Sequence, residues 1–155
     1  MTRTINEVAM GFLARREHSR HELASKLAKK QFERADICAC LDRLEERDYL
    51  SNQRFMESFT RHRATSGFGP QRIRADLMRR GLTASVVDDY LSEVEIDWRA
   101  LLHTAWAKKF THPPADFKTM VKQTRFLLQR GFEPDSVQQL MQSIKKEVDN
   151  EIHDH

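Results

Sequence analysis

Cysteine, proline and glycine are scarce, at two, four and five in 155 residues. Two cysteines cannot build the disulfide framework of a small secreted domain, and they suit a reducing compartment. So few turn formers argue against an all-β sandwich or barrel, whose short strands need them. A hydrophobic share of 39% argues against disorder. No apolar run approaches the roughly 20 residues that cross a bilayer. The opening Met1-Thr2-Arg3-Thr4-Ile5-Asn6-Glu7 lacks the apolar centre of a secretory signal. Neither charge sign dominates, since 26 Lys and Arg face 23 Asp and Glu. The remaining expectation is a cytoplasmic, mainly helical protein without a membrane role, either one domain or a short array of repeats.

Signatures of catalysis are also missing. There is no G-x-x-x-x-G-K phosphate loop, and Gly67-Phe68-Gly69-Pro70 reads as a helix–helix turn. Cys38 and Cys40 sit two apart on a predicted helix and point away from each other. They cannot clasp one ion and are expected as small buried residues. His18 and His21 have no accompanying ligand set and are expected at the surface. Trp98, Trp106, Phe110 and Phe117 are spaced as core residues. His153-Asp154-His155 reads as a polar tail. Neither an enzyme nor a cofactor or metal site is expected.

What is present is segregated charge and an internal repeat. Residues 53–82 carry seven arginines, Arg54, Arg61, Arg63, Arg72, Arg74, Arg79 and Arg80, against only Glu57 and Asp76. Residues 83–97 carry five acids and no base. An offset of 50 aligns Leu27, Leu77 and Leu127; Phe32, Leu82 and Phe132; Ile37, Val87 and Val137; and Leu41, Leu91 and Met141. Lys30, Arg80 and Arg130 follow the same register, where a cation complements the end of a helix dipole. Gly81 and Gly131 match each other at a left-handed helix cap, with Gln31 in the first copy.

Each copy reads as three helices. In the middle one, Ser51 or Asn52 caps a helix with Phe55 and Phe59 inward, and Pro70 opens the next helix. Thr83 or Ser85 opens the third. Ser19 caps the second helix of the first copy. The expected class is all-α, an elongated array of three tandem three-helix repeats: 1–50, 51–97 and 98–150, with 151–155 as a tail. Arg54 and Arg61, and likewise Arg72 and Arg79, lie two turns apart on one flank of their helices. Such pairs suit phosphates or an acidic protein groove. The alternative is internal pairing with the acids of 83–97.

The run Leu50-Ser51-Asn52-Gln53-Arg54-Phe55-Met56-Glu57-Ser58-Phe59, continuing through Arg61-His62-Arg63-Ala64, Gly67-Phe68-Gly69-Pro70-Gln71-Arg72-Ile73-Arg74 and Leu77-Met78-Arg79-Arg80-Gly81-Leu82, resembles the bacterial RecX family. Ala14-Arg15-Arg16-Glu17-His18-Ser19-Arg20-His21-Glu22-Leu23 is similar to that family's opening repeat. Ser51 and Asn52 stand where the family often has an acidic pair. The resemblance implies a non-enzymatic, cofactor-free regulator of the RecA recombinase, acting in recombination and the DNA-damage response. It implies binding to the RecA–single-stranded-DNA filament, in its groove or at its end, and inhibition of filament extension, ATP hydrolysis and strand exchange. The seven arginines are the candidate contact residues, and the chain is expected to act as a monomer. Single-stranded DNA is a further candidate partner. The alternative is a helical-repeat DNA-binding module that acts without RecA.

Overall fold

The computed structural model describes residues 2–153. Those residues form nine α-helices and no strand: α1 (Ile5–Arg15), α2 (Arg20–Lys29), α3 (Arg34–Glu46), α4 (Asn52–Thr65), α5 (Pro70–Arg79), α6 (Ala84–Glu93), α7 (Trp98–Lys109), α8 (Phe117–Gln129) and α9 (Pro134–His153). The all-α class expected from the repeat is the class observed. The third helices begin at Arg34, Ala84 and Pro134, in step with the fifty-residue period. Helix α9 runs on to His153, into the segment expected as a tail. Asp154, His155 and the His153 side chain lie outside the described residues.

Local chemistry starts most of these helices. Thr4 accepts the Glu7 N–H, Asp97 that of Ala100 and Asp116 that of Thr119, each satisfying a donor that the first turn leaves orphaned. Ser19 forms a reciprocal box with Glu22 at the start of α2. Ser51 accepts the Arg54 N–H at 3.1 Å and Thr83 that of Val86 at 3.4 Å, so of the two residues expected at each start it is the first that caps.

The stops repeat as well. Phe32, Leu82 and Phe132 each donate a backbone N–H to the carbonyl five residues back, on Leu27, Leu77 and Leu127, at 3.3–3.4 Å. Gln31, Gly81 and Gly131 donate to the carbonyl three back at 2.9–3.1 Å, which completes a Schellman stop in all three copies. The residue between must turn left-handed, and φ is +69° at Gln31, +91° at Gly81 and +95° at Gly131. Leu27, Leu77 and Leu127 are wholly buried one turn earlier.

By packing, the chain divides into two compact units. One holds the residues up to Arg61 together with Asp76–Asp89, the other His62–Ala75 together with the residues from Tyr90 on. The first has a core of Ala9, Leu23, Leu27, Ile37, Cys40, Leu41, Leu44 and Leu50, where α1, α2 and α3 pack on one another. The second has Leu102, Ala105, Leu127, Phe132, Val137, Met141 and Ile144 between α7, α8 and α9. Each fully buried leucine contributes about 1.5–3 kcal/mol. In the second unit Trp106 donates its indole N–H to the Gln123 side-chain oxygen at 2.9 Å. Gln123 in turn donates to the His112 carbonyl at 3.2 Å and ties the Pro113-Pro114 loop to α8.

Three side chains depart from expectation. Cys40 is buried but Cys38 is exposed, because residues two apart on α3 face opposite sides. Phe117 is no core residue: it is 82% exposed, standing on the first turn of α8 just after the cap. His18, expected at the surface, is 1% exposed.

Candidate cationic surface

The seven arginines fall into both units: Arg54, Arg61, Arg79 and Arg80 in the first, Arg63, Arg72 and Arg74 in the second. Their surroundings differ. Arg54, half-buried at the start of α4, donates to Glu17 at 3.0 Å, to Asp48 at 2.8 Å and to the Asp48 carbonyl at 2.7 Å. The Glu17 bond first, then the Asp48 bond, raise its pKa above the ordinary arginine value. Arg79 pairs with Asp76 on its own helix. Arg80 lies over the Phe59 ring at 4.7 Å, donates to the Asp76 carbonyl at 3.0 Å and approaches Glu22 at 3.6 Å. These three arginines have internal partners, though not among the acids of 83–97 named in the internal-pairing alternative. Their carboxylates, Glu17, Glu22, Asp48 and Asp76, all precede the expected acidic run. Arg61 is exposed on α4 and Arg74 half-buried on α5.

In the second unit a loop builds a different arrangement. Helix α4 ends at Thr65, Gly67 turns left-handed at φ +95°, and the Phe68 N–H returns to the Arg63 carbonyl at 3.1 Å. The next N–H, of Gly69, donates to the Arg130 carbonyl at 2.8 Å, and that of Gln71 to the Gly131 carbonyl at 2.9 Å. The start of α5 is thereby seated on the Schellman stop of α8. The approach is too close for any side chain. A Cβ on Gly69 would stand 2.5 Å from Gly131 and Phe132 backbone atoms, and one on Gly131 would stand 2.3 Å from the Arg72 Cβ. This seating fixes Phe68 among three guanidinium groups. Arg130 lies 4.7 Å from the ring centroid, Arg63 and Arg72 each 5.4 Å.

The cluster continues onto a second ring. Arg130 is also 5.1 Å from the Phe126 centroid, and Lys109 lies 5.4 Å from it. An open cleft of about 200 Å³ beside them is lined by Ser66, Gly67, Ala105, Lys108, Lys109, Phe126 and Arg130. A guanidinium this close to an aromatic ring gains a cation–π attraction, and its planar N–H fork matches carboxylate and phosphate geometry. Arg72 also donates to the Gln129 carbonyl at 3.4 Å. Several guanidinium groups gathered around one ring raise the local positive potential. The arrangement is chemically suited to phosphate or carboxylate. Sequence reasoning missed Phe68, Lys109 and Arg130. Phe68 read as part of a turn and Arg130 as a dipole partner, and only a contact between residues about 60 apart brings them together.

A different polar cluster surrounds His18. Its Nδ1 lies 3.0 Å from the Arg16 carbonyl and its Nε2 2.8 Å from the Lys26 ammonium. Lys26 can only donate, so the neutral ring carries its proton on Nδ1. Burial first, opposed by the Arg16 carbonyl, lowers the His18 pKa from its usual 6.5. Glu22 alongside also resists burial, yet Arg16 and the Ser19 N–H keep its carboxyl below the ordinary range. Among the described residues, no group of three His, Cys, Asp or Glu side chains could hold a metal ion, and no helix is long and apolar enough to cross a membrane.

Comparison with known proteins agrees with this architecture. Family models match in order along the chain: the first three-helix domain of RecX at residues 7–44, the second at 51–91 and the third at 95–141. The chain is 44% identical over 138 residues to the Regulatory protein RecX of Pseudomonas putida (strain GB-1), covering 88% of each. It is 44% identical to that of Pseudomonas fluorescens (strain SBW25), covering 88% of this chain and 89% of the other. The crystal structure of RecX from Lactobacillus salivarius superposes with a TM-score of 0.75 at 20% identity, over 91% of this chain and 94% of that one, a likeness of fold. The match to close relatives over most of their length decides the matter: the chain belongs to the RecX family of regulatory proteins.

Proposed function

We propose that this protein is a non-enzymatic regulator of the RecA recombinase. It binds the RecA–single-stranded-DNA filament, in its groove or at its end, and inhibits filament extension, ATP hydrolysis and strand exchange. The observation that carries this reading is the 44% identity to proteins named Regulatory protein RecX over 88% of their length. The segments 1–50, 51–97 and 98–150 act as its three repeats, with 151–155 as a tail, and the protein works as a monomer in the cytoplasm. Of the arginines expected to make contact, Arg63 and Arg72 share the Phe68 ring with Arg130, which in turn shares the Phe126 ring with Lys109. This part of the surface supports a meeting with filament acids or DNA phosphates. Arg54, Arg61, Arg74, Arg79 and Arg80 complete the proposed contact set, and of these Arg54, Arg79 and Arg80 would have to exchange the carboxylates they hold in the fold. A non-catalytic binder alters ATPase only through its differential affinity for one filament state.

A second reading, a DNA-binding helical module that needs no RecA, draws on the same guanidinium cluster, since forks of this kind suit phosphates. RecA ATPase on single-stranded DNA, titrated with this protein, tests the first reading: activity is expected to fall as protein is added. Binding to labelled single-stranded DNA without RecA, at physiological salt, separates the two. Tight binding there with unchanged ATPase overturns the first.

A further inference from the structure

The second helices of the three copies are not equivalent. Helices α2 and α5 have 10 residues and α8 has 13, the extra turn being at its start. That turn brings Phe117, 82% exposed, into line with Val121, 37% exposed, and Leu128, 40% exposed. Positions 117, 121, 124 and 128 fall within about 60° on a helical wheel, so they form one stripe. On one flank of the stripe stand Lys118, Lys122 and Arg125, also in line. Helix α8 contains no acid at all.

On the other flank lies a groove against α9. Met120, Thr124 and Leu128 face Gln138, Met141, Gln142 and Lys145 across an opening of about 450 Å³. A second opening of about 410 Å³ shares Met120 and Lys145 and extends to Phe117 and to Ile152, itself 67% exposed. Its acids are Asp116, which caps α8, and Asp149, both at the Phe117 end. The long side of the groove is cationic.

We propose that this face of α8 and α9 docks an amphipathic helix of a protein partner, one whose apolar stripe is flanked by Asp or Glu. Phe117, Val121 and Leu128 fall at i, i+4 and i+11 with the half-buried Thr124 at i+7, a helically spaced stripe of the kind that a helix laid in a groove contacts. The basic flank selects acids opposite it. A second copy fits poorly: an antiparallel α8 sets the lysine flank against itself, and a parallel one sets it against Lys145. The surface is separate from the Phe68 cluster, and its assignment stands whether or not RecA is the partner.

The test uses the full chain and a labelled helical peptide with leucines at i, i+4, i+7 and i+11 and glutamates along its flank. Fluorescence anisotropy is expected to show binding that weakens at least about tenfold in Phe117→Ala/Val121→Ala/Leu128→Ala. Those residues are exposed, so the circular dichroism of the variant should match the parent. Lys118→Glu/Lys122→Glu/Arg125→Glu should abolish binding of this peptide and create binding of the same peptide with lysine flanks. Failure of the glutamate peptide to bind, equal binding of both peptides, or binding unchanged by the stripe variant overturns the proposal. So does self-association, or binding of phosphatidylglycerol vesicles or a single-stranded oligonucleotide, that the stripe variant removes while peptide binding persists.

Discussion

The two compact units surround their cations differently, although Arg80 and Lys26 of the first also lie over the rings of Phe59 and Phe12. In the first, Arg16 meets Glu22, Arg20 meets Asp42 and Glu45, and Arg54 meets Glu17 and Asp48. In the second, Arg63, Arg72, Arg130 and Lys109 lie against the rings of Phe68 and Phe126. A guanidinium held by two carboxylates has most of its fork occupied, and at partial exposure each pair contributes no more than about 1 kcal/mol. One lying over a ring gains a comparable amount from the ring face. Counting arginines therefore says little about where a partner binds; what each one touches says more.

The sharpest way to break this contrast is through the backbone seat beneath it. Gly131→Ala places a methyl 2.3 Å from the Arg72 Cβ and 2.4 Å from the Arg72 nitrogen, at a left-handed φ. Neither atom can swing away. A loss of about 3–4 kcal/mol is expected in urea unfolding, with the Phe68 cluster opened as well. Gly81→Ala in the first unit should cost about 2 kcal/mol, since its methyl meets the His21 side chain at 2.4 Å and no backbone atom is among the nearest contacts.

Next in size is a functional difference. Arg63→Ala/Arg72→Ala/Arg130→Ala should weaken inhibition of RecA ATPase by about 10- to 100-fold, with the weakening smaller at high salt. Arg54→Ala should leave inhibition within about twofold and cost about 1 kcal/mol of stability instead. The reverse pattern would move the contact surface to the first unit.

Much of the architecture was legible in the sequence, and the reason is physical. A Schellman stop needs a left-handed residue and an apolar pair around it. Leu77, Gly81 and Leu82 announce that stop by themselves, and a fixed spacing carries it to the other copies. Ser19 and Ser51 announce helix starts for similarly local reasons. The site was less legible because Phe68 and Arg130 meet only through tertiary contact. His18 misled for the converse reason: nothing local says that a histidine beside a capping serine will be covered. Phe117 looked like core by spacing, but spacing cannot tell which side of α8 is covered.

His18 offers a gentler way to separate the units. Its native pKa lies below the unfolded value of 6.5, so the neutral ring is the form that the fold favours. The stability this gives is complete above about pH 6.5 and declines as pH falls toward the native pKa, where the unfolded chain binds the extra proton. Protonation inside the fold would set a second cation 2.8 Å from Lys26, with Arg16 close by, against which the Arg16 carbonyl and Glu22 compensate in part. Hydrogen exchange should show α2 amides losing protection as pH drops below about 6.5. Emission from Trp98 and Trp106, both in the second unit, should change less. His18→Gln should remove the pH dependence of α2; if α2 responds unchanged, another group governs it.

The smallest effect expected is a gain. Gln31 holds the left-handed position that glycine fills in the other two copies, at φ +69°. An L side chain there is disfavoured by roughly 1 kcal/mol, and glycine gives back part of that advantage through the greater freedom of its unfolded state. Gln31 is exposed and no hydrogen bond from its side chain enters the stop, whose bonds run through backbone N–H groups to Ala28 and Leu27. Gln31→Gly should therefore stabilise the first unit by about 0.5–1 kcal/mol in urea unfolding. The same exchange also tests the repeat itself. If the three stops are one device, the glycine of the second and third should transplant into the first without altering α2, and a loss of stability would mean that the first copy uses Gln31 in a way its register does not explain.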